Sequence, residues 1–258
     1  MKGLLTKLNL RRRLGFTLAE VLITLGVIGI VAAMTIPTLI NNYQKKQLVA
    51  GLQKGYSTMS NVFKMAMADD VVDNISNTTL WKALPEGSIS QGNFAALDYS
   101  GFIAVLNKYF KVQKYCNPYD DTCFNIKYKM IDGSDEYGDS GYNREDRLKV
   151  YGADGLVYFL RFNAGRGVEN WGDFNSNFLG YIGIDVNGDN PPNQNGRDYH
   201  DVALFANGEI IFPGSQRWQN SWGGDSWKDT CVEPFGNSSY PGDYCGARIF
   251  EEGWRMDY

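Results

Sequence analysis

The chain has 258 residues, of which 43% are hydrophobic and 14% aromatic, so it can form one large or two small folded domains and is not a disordered chain. Its formal net charge is −4, and residues 1–15 hold five basic and no acidic side chains, which leaves −9 for the remainder. An acidic body argues against nucleic acid as a partner, because phosphate binding needs a cationic surface.

The N-terminus predicts a membrane span. Residues 16–40 are almost wholly apolar and follow a short basic segment that ends at Gly15. About 20 apolar residues suffice to cross a bilayer as a helix, and the basic flank should stay in the cytoplasm. An ordinary secretory signal is the alternative, but its small-residue cleavage site follows the apolar run, whereas Gly15 precedes it.

Glu20 is the unusual residue of this span, because a carboxylate inside a bilayer costs about 2.5–3.5 kcal/mol. Cleavage after Gly15 would give Phe16 a free amine that could meet Glu20 within one chain or from a neighbouring copy. Pairing between copies would set the axial register of a helix bundle. Thr17 is a candidate helix cap, and Pro37 predicts a bend. A plain single-pass anchor with an incidental Glu20 is the alternative.

The segment RRRLGFTLAEVLITLGVIGIVAAMTIP resembles the cleavage and methylation signature of type IV prepilins and type II secretion pseudopilins. The resemblance implies that a prepilin peptidase cuts between Gly15 and Phe16 and methylates the Phe16 amine. It implies that Glu20 aligns subunits and that Pro37 bends the helix. The implied partners are the inner membrane, other pilin or pseudopilin subunits, an assembly ATPase and a platform protein.

The resemblance also implies a location and a domain order. Residues 1–15 form a leader, 16–40 a transmembrane and assembly helix, 41–68 an amphipathic helix, and 69–258 a head outside the cytoplasm. The precursor would be a single-pass protein of the inner membrane, and the mature chain would join a periplasmic or extracellular filament. The stretch from Asp185 to Gly208 resembles one seen in many pseudopilin heads, and this resemblance favours a secretion pseudopilin over a pilus subunit.

The rest of the chain predicts an α+β head packed on the amphipathic helix. Apolar residues recur at three- and four-residue spacing at Leu48, Leu52, Tyr56, Met59, Phe63 and Ala66. Hairpins are expected about Asp154–Gly155 and Asn207–Gly208, with a further strand ending near Asp185. One long helix followed by antiparallel strands is the fold class that the resemblance implies as well.

Four cysteines predict disulfides formed outside the cytosol. Local pairing of Cys116 with Cys123 and of Cys231 with Cys245 is the simplest of three connectivities. A zinc site is the rival, but neither spacing is Cys-x2-Cys and His200 is the only histidine.

Residues 185–198, DVNGDNPPNQNGRD, offer a candidate calcium site. Asp185, Asn187, Asp189 and Asp198 would supply the oxygen ligands, although the twelfth loop position is Gly196, so the loop is not an EF-hand. The same residue types are ordinary turn formers, which is the alternative. A pilin-like filament subunit requires no cofactor, so calcium would be an addition to that function. The acidic run 132–146 is expected to be a solvated loop.

The sequence gives little support to an enzyme. His200 would have to serve any Ser/His/Asp or Cys/His site, and it is expected at the surface or at the start of a hairpin. A membrane-anchored hydrolase with a carboxylate pair is the remote alternative. A tip subunit or adhesin whose head binds a glycan, matrix or secreted substrate is the other. The tryptophans near the C-terminus could bind such a ligand, but we expect them to fill the core.

Overall fold

A computed structural model describes residues 15–88, 97–120, 122–124, 126–135, 144–162, 177–222, 224, 226–235 and 240–258. Contacts divide the chain into one unit up to Gln44 and a second from Lys45 to Tyr258. The helices are α1 (Leu18–Asp69), α2 (Thr79–Lys82), α3 (Ser100–Leu106), α4 (Gln216–Trp222), α5 (Trp227–Thr230) and α6 (Cys245–Glu251). The strands are β1 (Val112–Cys116), β2 (Leu148–Gly152), β3 (Val157–Phe162), β4 (Phe178–Asp185), β5 (Tyr199–Phe205) and β6 (Ile210–Ile211).

The second part of α1, from Lys45 to Asp69, packs on the sheet through one face. Leu52, Met59, Phe63 and Ala66 are buried in the main core, as the three- and four-residue spacing predicts. Gly55 lies on the same face, where a Cβ would stand 2.6 Å from Cγ2 of Ile184. The helix backbone therefore approaches strand β4 as closely as only glycine permits.

The sheet has six antiparallel strands in the order β1-β2-β3-β4-β5-β6, so every strand pairs with its neighbours in the sequence. Turns at Gly155 and Gly208, where φ is +86° and +78°, close the two predicted hairpins. Alternate residues such as Val150, Leu160 and Ile182 point into the core beneath α1. The predicted α+β architecture, a long N-terminal helix with an antiparallel sheet, is confirmed.

The opposite face of the sheet is also covered. Phe159 and Tyr199 form a small aromatic cluster there with Tyr128, and Trp218 of α4 packs against Phe205. Further tryptophans, Trp227 and Trp254, pack against the main core, as expected for core residues. Because both faces are covered, the sheet buries polar strand residues as well as apolar ones.

Two expectations about polar residues hold only in part. His200 lies at the start of the β5–β6 hairpin, as one alternative predicts, but it is not at the surface: it is 1% exposed, and its Nε2 lies 3.2 Å from the carbonyl oxygen of Arg197. The register places it opposite Ile184, on the covered core side of the sheet. The acidic run 132–146 is exposed at Asp132, but its end is not solvated: Asp146 is buried and pairs with Arg161 at 3.1 Å. Residues 136–143 of that run lie outside the described residues.

Two disulfides tie loops to the sheet and to the C-terminal helix. Cys116 at the end of β1 is bonded to Cys123, with a Cα–Cα distance of 6.2 Å. Cys231 is bonded to Cys245, the first residue of α6, across 5.1 Å. These are the two local pairs that the sequence spacing favours.

Candidate functional site

The segment around the predicted cleavage bond is irregular and open. Gly15, Phe16 and Thr17 precede α1 and adopt no helical or strand structure, and a Cβ at Gly15 would meet no described residue beyond its chain neighbours within 4 Å. Phe16 is 89% exposed. The Gly15–Phe16 bond therefore lies outside regular structure, and its cleavage stays a prediction. The leader residues 1–14 lie outside the described residues.

Thr17 and Glu20 form a reciprocal cap at the start of α1. The Glu20 backbone N–H donates to Oγ1 of Thr17 at 3.2 Å. The backbone N–H and the hydroxyl of Thr17 both donate to Oε2 of Glu20, each at 2.8 Å. This is a capping box, in which two otherwise unpaired helix-end donors are satisfied. The sequence predicted Thr17 as a cap but not the return bond from Glu20, although Thr-x-x-Glu spacing carries that signal.

The capping box changes the reasoning about Glu20. In the chain that still has its leader, the carboxylate is already paired with donors of its own first turn. That pairing lowers the cost of placing a charge in an apolar span. The same carboxylate lies one helical turn from Phe16, the residue that cleavage would convert to an amine. The helix start can therefore present a negative group to a positive N-terminus.

The apolar part of α1 has no internal partner. Its large side chains from Phe16 to Ile40 are half to nearly fully exposed, apart from Val21 at 41%. Among the described helices, α1 alone is long and apolar enough to cross a membrane. Pro37 lies inside it and the helix continues beyond that residue, so the bend at Pro37 stays a prediction. Such a surface needs lipid or other apolar helices around it.

The architecture of a long apolar N-terminal helix and a six-stranded antiparallel sheet is pilin-like. Residues 10–36 match the family model of the prokaryotic N-terminal methylation motif, the prepilin-type signal. The match includes Gly15, Phe16 and Glu20 and ends one residue before Pro37. No curated protein and no solved structure matches the chain. The chain is thus a type IV pilin- or pseudopilin-like protein, of a class that is typically non-enzymatic.

The methylation motif carries further implications at the same level. It implies processing by a prepilin peptidase and assembly by a pilus machine. Together with the apolar helix, it indicates that the chain is anchored in a membrane before assembly.

The candidate calcium loop is only partly assembled from its predicted residues. Asp185 ends β4, where its carboxylate accepts a hydrogen bond from the Tyr128 hydroxyl and another, of 3.2 Å, from the Asn187 N–H. Both oxygens of Asp198 accept backbone N–H groups, those of Asn193 at 2.8 Å and Gln194 at 2.6 Å. Asp185 and Asp198 therefore organise the loop through its own donors.

Asp189 does not join them. Its carboxylate pairs with Nζ of Lys149 at 2.8 Å and accepts the Tyr151 hydroxyl at 3.0 Å. Oδ1 of Asn187 is buried without a hydrogen-bond partner in the described part of the chain. Three of the four predicted ligands thus share one end of β4, and only the Asn187 oxygen is left without a donor.

The environment of Asp185 disfavours a negative charge. Burial raises the pKa of Asp185 to about 7, the nearby Asp198 charge adds to the rise, and the Tyr128 hydrogen bond opposes it. Burial also raises the pKa of Asp198. Two buried carboxyls that repel each other favour uptake of a proton or a cation.

A buried ion pair lies beside Tyr199, on the face of the sheet opposite α1, and the sequence did not predict it. Nη1 of Arg147 contacts Oδ1 of Asp201 at 2.5 Å and donates to the Tyr199 hydroxyl at 2.6 Å. Burial alone would raise the pKa of Asp201, but the Arg147 charge and hydrogen bond outweigh it and lower that pKa. The guanidinium carbon of Arg144 lies 3.8 Å from the centre of the Tyr199 ring. Alternation of charged with apolar residues along the strands predicts a solvated second face, so no sequence pattern indicated this buried pair.

Proposed function

We propose that the chain is a structural subunit of a type IV pilus-like filament or of a type II secretion pseudopilus. A prepilin peptidase cuts the precursor between Gly15 and Phe16 and methylates the new amine. The mature chain then assembles through its N-terminal helix, driven by an assembly ATPase and a platform protein. It is not an enzyme. The observation that supports this most is the matched motif on the apolar segment 16–40, whose only carboxylate, Glu20, stands at the first turn of α1.

The proposed mechanism follows from the exposed apolar side chains of the first part of α1. Its apolar side chains are exposed, so lipid surrounds them before assembly and neighbouring helices replace lipid afterwards. An ammonium buried among those helices needs a counter-charge, and Glu20 supplies it from the neighbouring copy. Glu20 exchanges its bonds to Thr17 for this stronger, charge-assisted one. The head stays outside the cytoplasm throughout.

The intact mass and the N-terminal residue of the protein from membranes that contain a prepilin peptidase test the proposal. The expected species begins at Phe16 and carries one added methyl group. A Gly15→Val variant is the matched control and should retain residues 1–15, because the added branched side chain obstructs the peptidase. If the native chain keeps its leader in the same membranes, the proposal is wrong and the protein is a simple anchored one.

Calcium at the 185–198 loop stays a prediction, now centred on Asp185, Asn187 and Asp198. The unpartnered Asn187 oxygen and the two buried carboxylates support it. Calcium titration of the full chain in detergent should release heat at millimolar calcium or below. Asp185→Asn should abolish this heat, whereas Asp132→Asn, at an exposed position, should not. No heat from the native chain would contradict the prediction.

A further inference from the structure

The exposed face of the second part of α1 is polar and free of carboxylates. It contains residues at alternating three- and four-residue spacing, all of them exposed: Lys46, Ala50, Gln53, Ser57, Asn61, Lys64 and Ala68. This stripe lies opposite the face that packs on the sheet. The ammonium group of Lys64 makes no hydrogen bond or ion pair with any residue that the structure describes. The stripe therefore offers a cation and small side chains to a partner.

The charge of the chain is divided sharply along the sequence. Residues 41–68 contain four lysines and no acidic residue. Residues 69–258 contain 16 basic and 28 acidic residues, a net charge of −12. The lysines of this helix segment thus precede an acidic head, and a second copy of this chain offers them charge of the opposite sign.

The end of α1 joins both signs of charge with apolar surface. Lys64, Met65, Ala68 and Asp69 are exposed in the last two turns of α1, with Lys64 and Asp69 about 140° apart around the helix, and Met65 is 43% exposed. Val71 follows them with 89% exposure and a φ of +53°. We call these five residues the helix-end face. A left-handed residue is expected where a helix closes, but glycine takes it at far less cost than valine. An exposed, strained Val71 indicates a side chain kept for contact.

We propose that the helix-end faces of successive copies bind each other, with Lys64 of one copy paired to Asp69 of the next. This rests on the proposed function, in which copies leave one membrane in parallel. Pairing Glu20 of one copy with the Phe16 amine of another offsets the two helices by four residues. The same offset sets Lys64 of the second copy level with residue 68 of the first, one residue from Asp69.

This contact joins the Lys64 side of the helix-end face of one copy to the Asp69 side of the same face of the next copy. A contact of that kind leaves one Lys64 and one Asp69 without an intermolecular partner at the ends of any pair, so it repeats without closing. Met65 and Val71 would lose water on the same contact and add apolar area to the charge pair. Lys64 and Asp69 thereby fix the register of the head units, as Glu20 does for the apolar helices.

Cysteine cross-linking of the full chain in its native membranes tests the pairing. The four native cysteines are bonded to each other, so a chain with both Lys64→Cys and Asp69→Cys should give a ladder of linked oligomers without reductant. Ser57→Cys with Asp69→Cys, at a twelve-residue offset, is the matched control and should give none. Glu20→Ala added to the first pair should remove the ladder.

Charge reversal gives an independent readout. Lys64→Glu alone and Asp69→Lys alone should each lose filaments, because like charges then meet at every contact. Co-expression of the two variants should restore filaments, since each contact between unlike variants regains one lysine and one acid. Normal filaments from Lys64→Glu alone, or assembled filaments without a ladder, would overturn this contact and leave the proposed function standing. Loss of binding to phosphatidylglycerol vesicles on Lys64→Glu, with no ladder, would assign the lysine to lipid instead.

Discussion

Glycine has opposite surroundings in the two parts of α1. At Gly26 and Gly29, an added Cβ would meet no described residue within 4 Å apart from its own stretch of helix. At Gly55, it would stand 2.6 Å from Ile184. The second part of the helix is therefore shaped by the sheet of its own chain. The first part has no such reason for its small residues, and close approach by other helices is the reason that membranes supply.

The largest effect is expected at Glu20. If the apolar part of α1 assembled without pairing to another copy, its contrast with the second part, which packs on its own sheet, would fail. Glu20→Ala should abolish filaments while leaving insertion and cleavage intact, because a neighbouring amine loses its counter-charge. Glu20→Gln is the matched control, since it keeps an acceptor for Thr17 and loses only the charge. Electron microscopy and N-terminal sequencing report assembly and cleavage. Filaments from Glu20→Gln but not from Glu20→Ala would assign Glu20 to capping instead.

The head should respond most to Arg147, whose partner is its own chain. Arg147→Met leaves Asp201 buried and unpaired, which should lower the free energy of unfolding by about 3–5 kcal/mol. The double variant Arg147→Met with Asp201→Leu should recover much of that loss. Denaturant unfolding of the full chain in detergent measures both. Equal losses in the single and double variants would show that the buried charge is not the cause.

Asp185 should make stability depend on pH. Its pKa is raised from 3.8 to about 7, so the folded state holds a proton more tightly and stability falls as pH rises across that window, by at most about 4 kcal/mol. Burial lowers the pKa of His200 to about 4, so its contribution falls in the opposite direction, as pH drops from about 6.5 to 4. Asp185→Asn should therefore expose the His200 slope in thermal unfolding scans. An unchanged pH profile would contradict the assignment.

Gly55→Ala and Gly29→Ala sharpen the comparison directly. Helix propensity alone would favour alanine at both sites by up to about 1 kcal/mol. At Gly55, the clash with Ile184 should reverse the sign and cost about 1–3 kcal/mol in unfolding. At Gly29, the unfolding free energy of the head should not change, and any loss should appear in assembly alone. If Gly55→Ala stabilised the chain, Ile184 and its strand would have to shift away from the added methyl group.

The smallest effect is expected at Val71. Val71→Gly removes a side chain from a left-handed position and should stabilise the chain by about 1 kcal/mol. Val71→Ala keeps most of the backbone cost and should gain little. Unfolding of both variants under one set of conditions measures the difference. Equal stabilities would show that the valine adopts this conformation without cost.

The sequence predicted the long helix, the buried spacing on α1 and both hairpins, because each depends on local periodicity or on an Asp-Gly or Asn-Gly turn. It could not predict that the second face of the sheet is covered. That face is closed by distant segments such as the one around Tyr128, which no local pattern connects to β4. His200 was misjudged for a different reason: two flanking aspartates suggest a surface, but the register opposite Ile184 places His200 on the main core side of the sheet.

The candidate site divides in the same way. Gly15, Phe16 and Glu20 lie within six residues of sequence, so the chain itself keeps them close together. The calcium set spans 14 residues, and the separation of Asp189 from Asp185 depends on Lys149, a residue of another strand. The spacing of the acidic residues along the loop carries no information on which carboxylate will pair with a lysine of another strand.

The strict chain order of the sheet has a consequence for how the head is made. Every strand pairs with one that was synthesised just before it, so the strand pairings themselves do not require distant segments to find each other, and this favours rapid formation of the sheet. A chain delivered across a membrane from its N-terminal anchor can add β1 to β6 one after another as they emerge. The interval in which a half-built head is open to envelope proteases should accordingly be short.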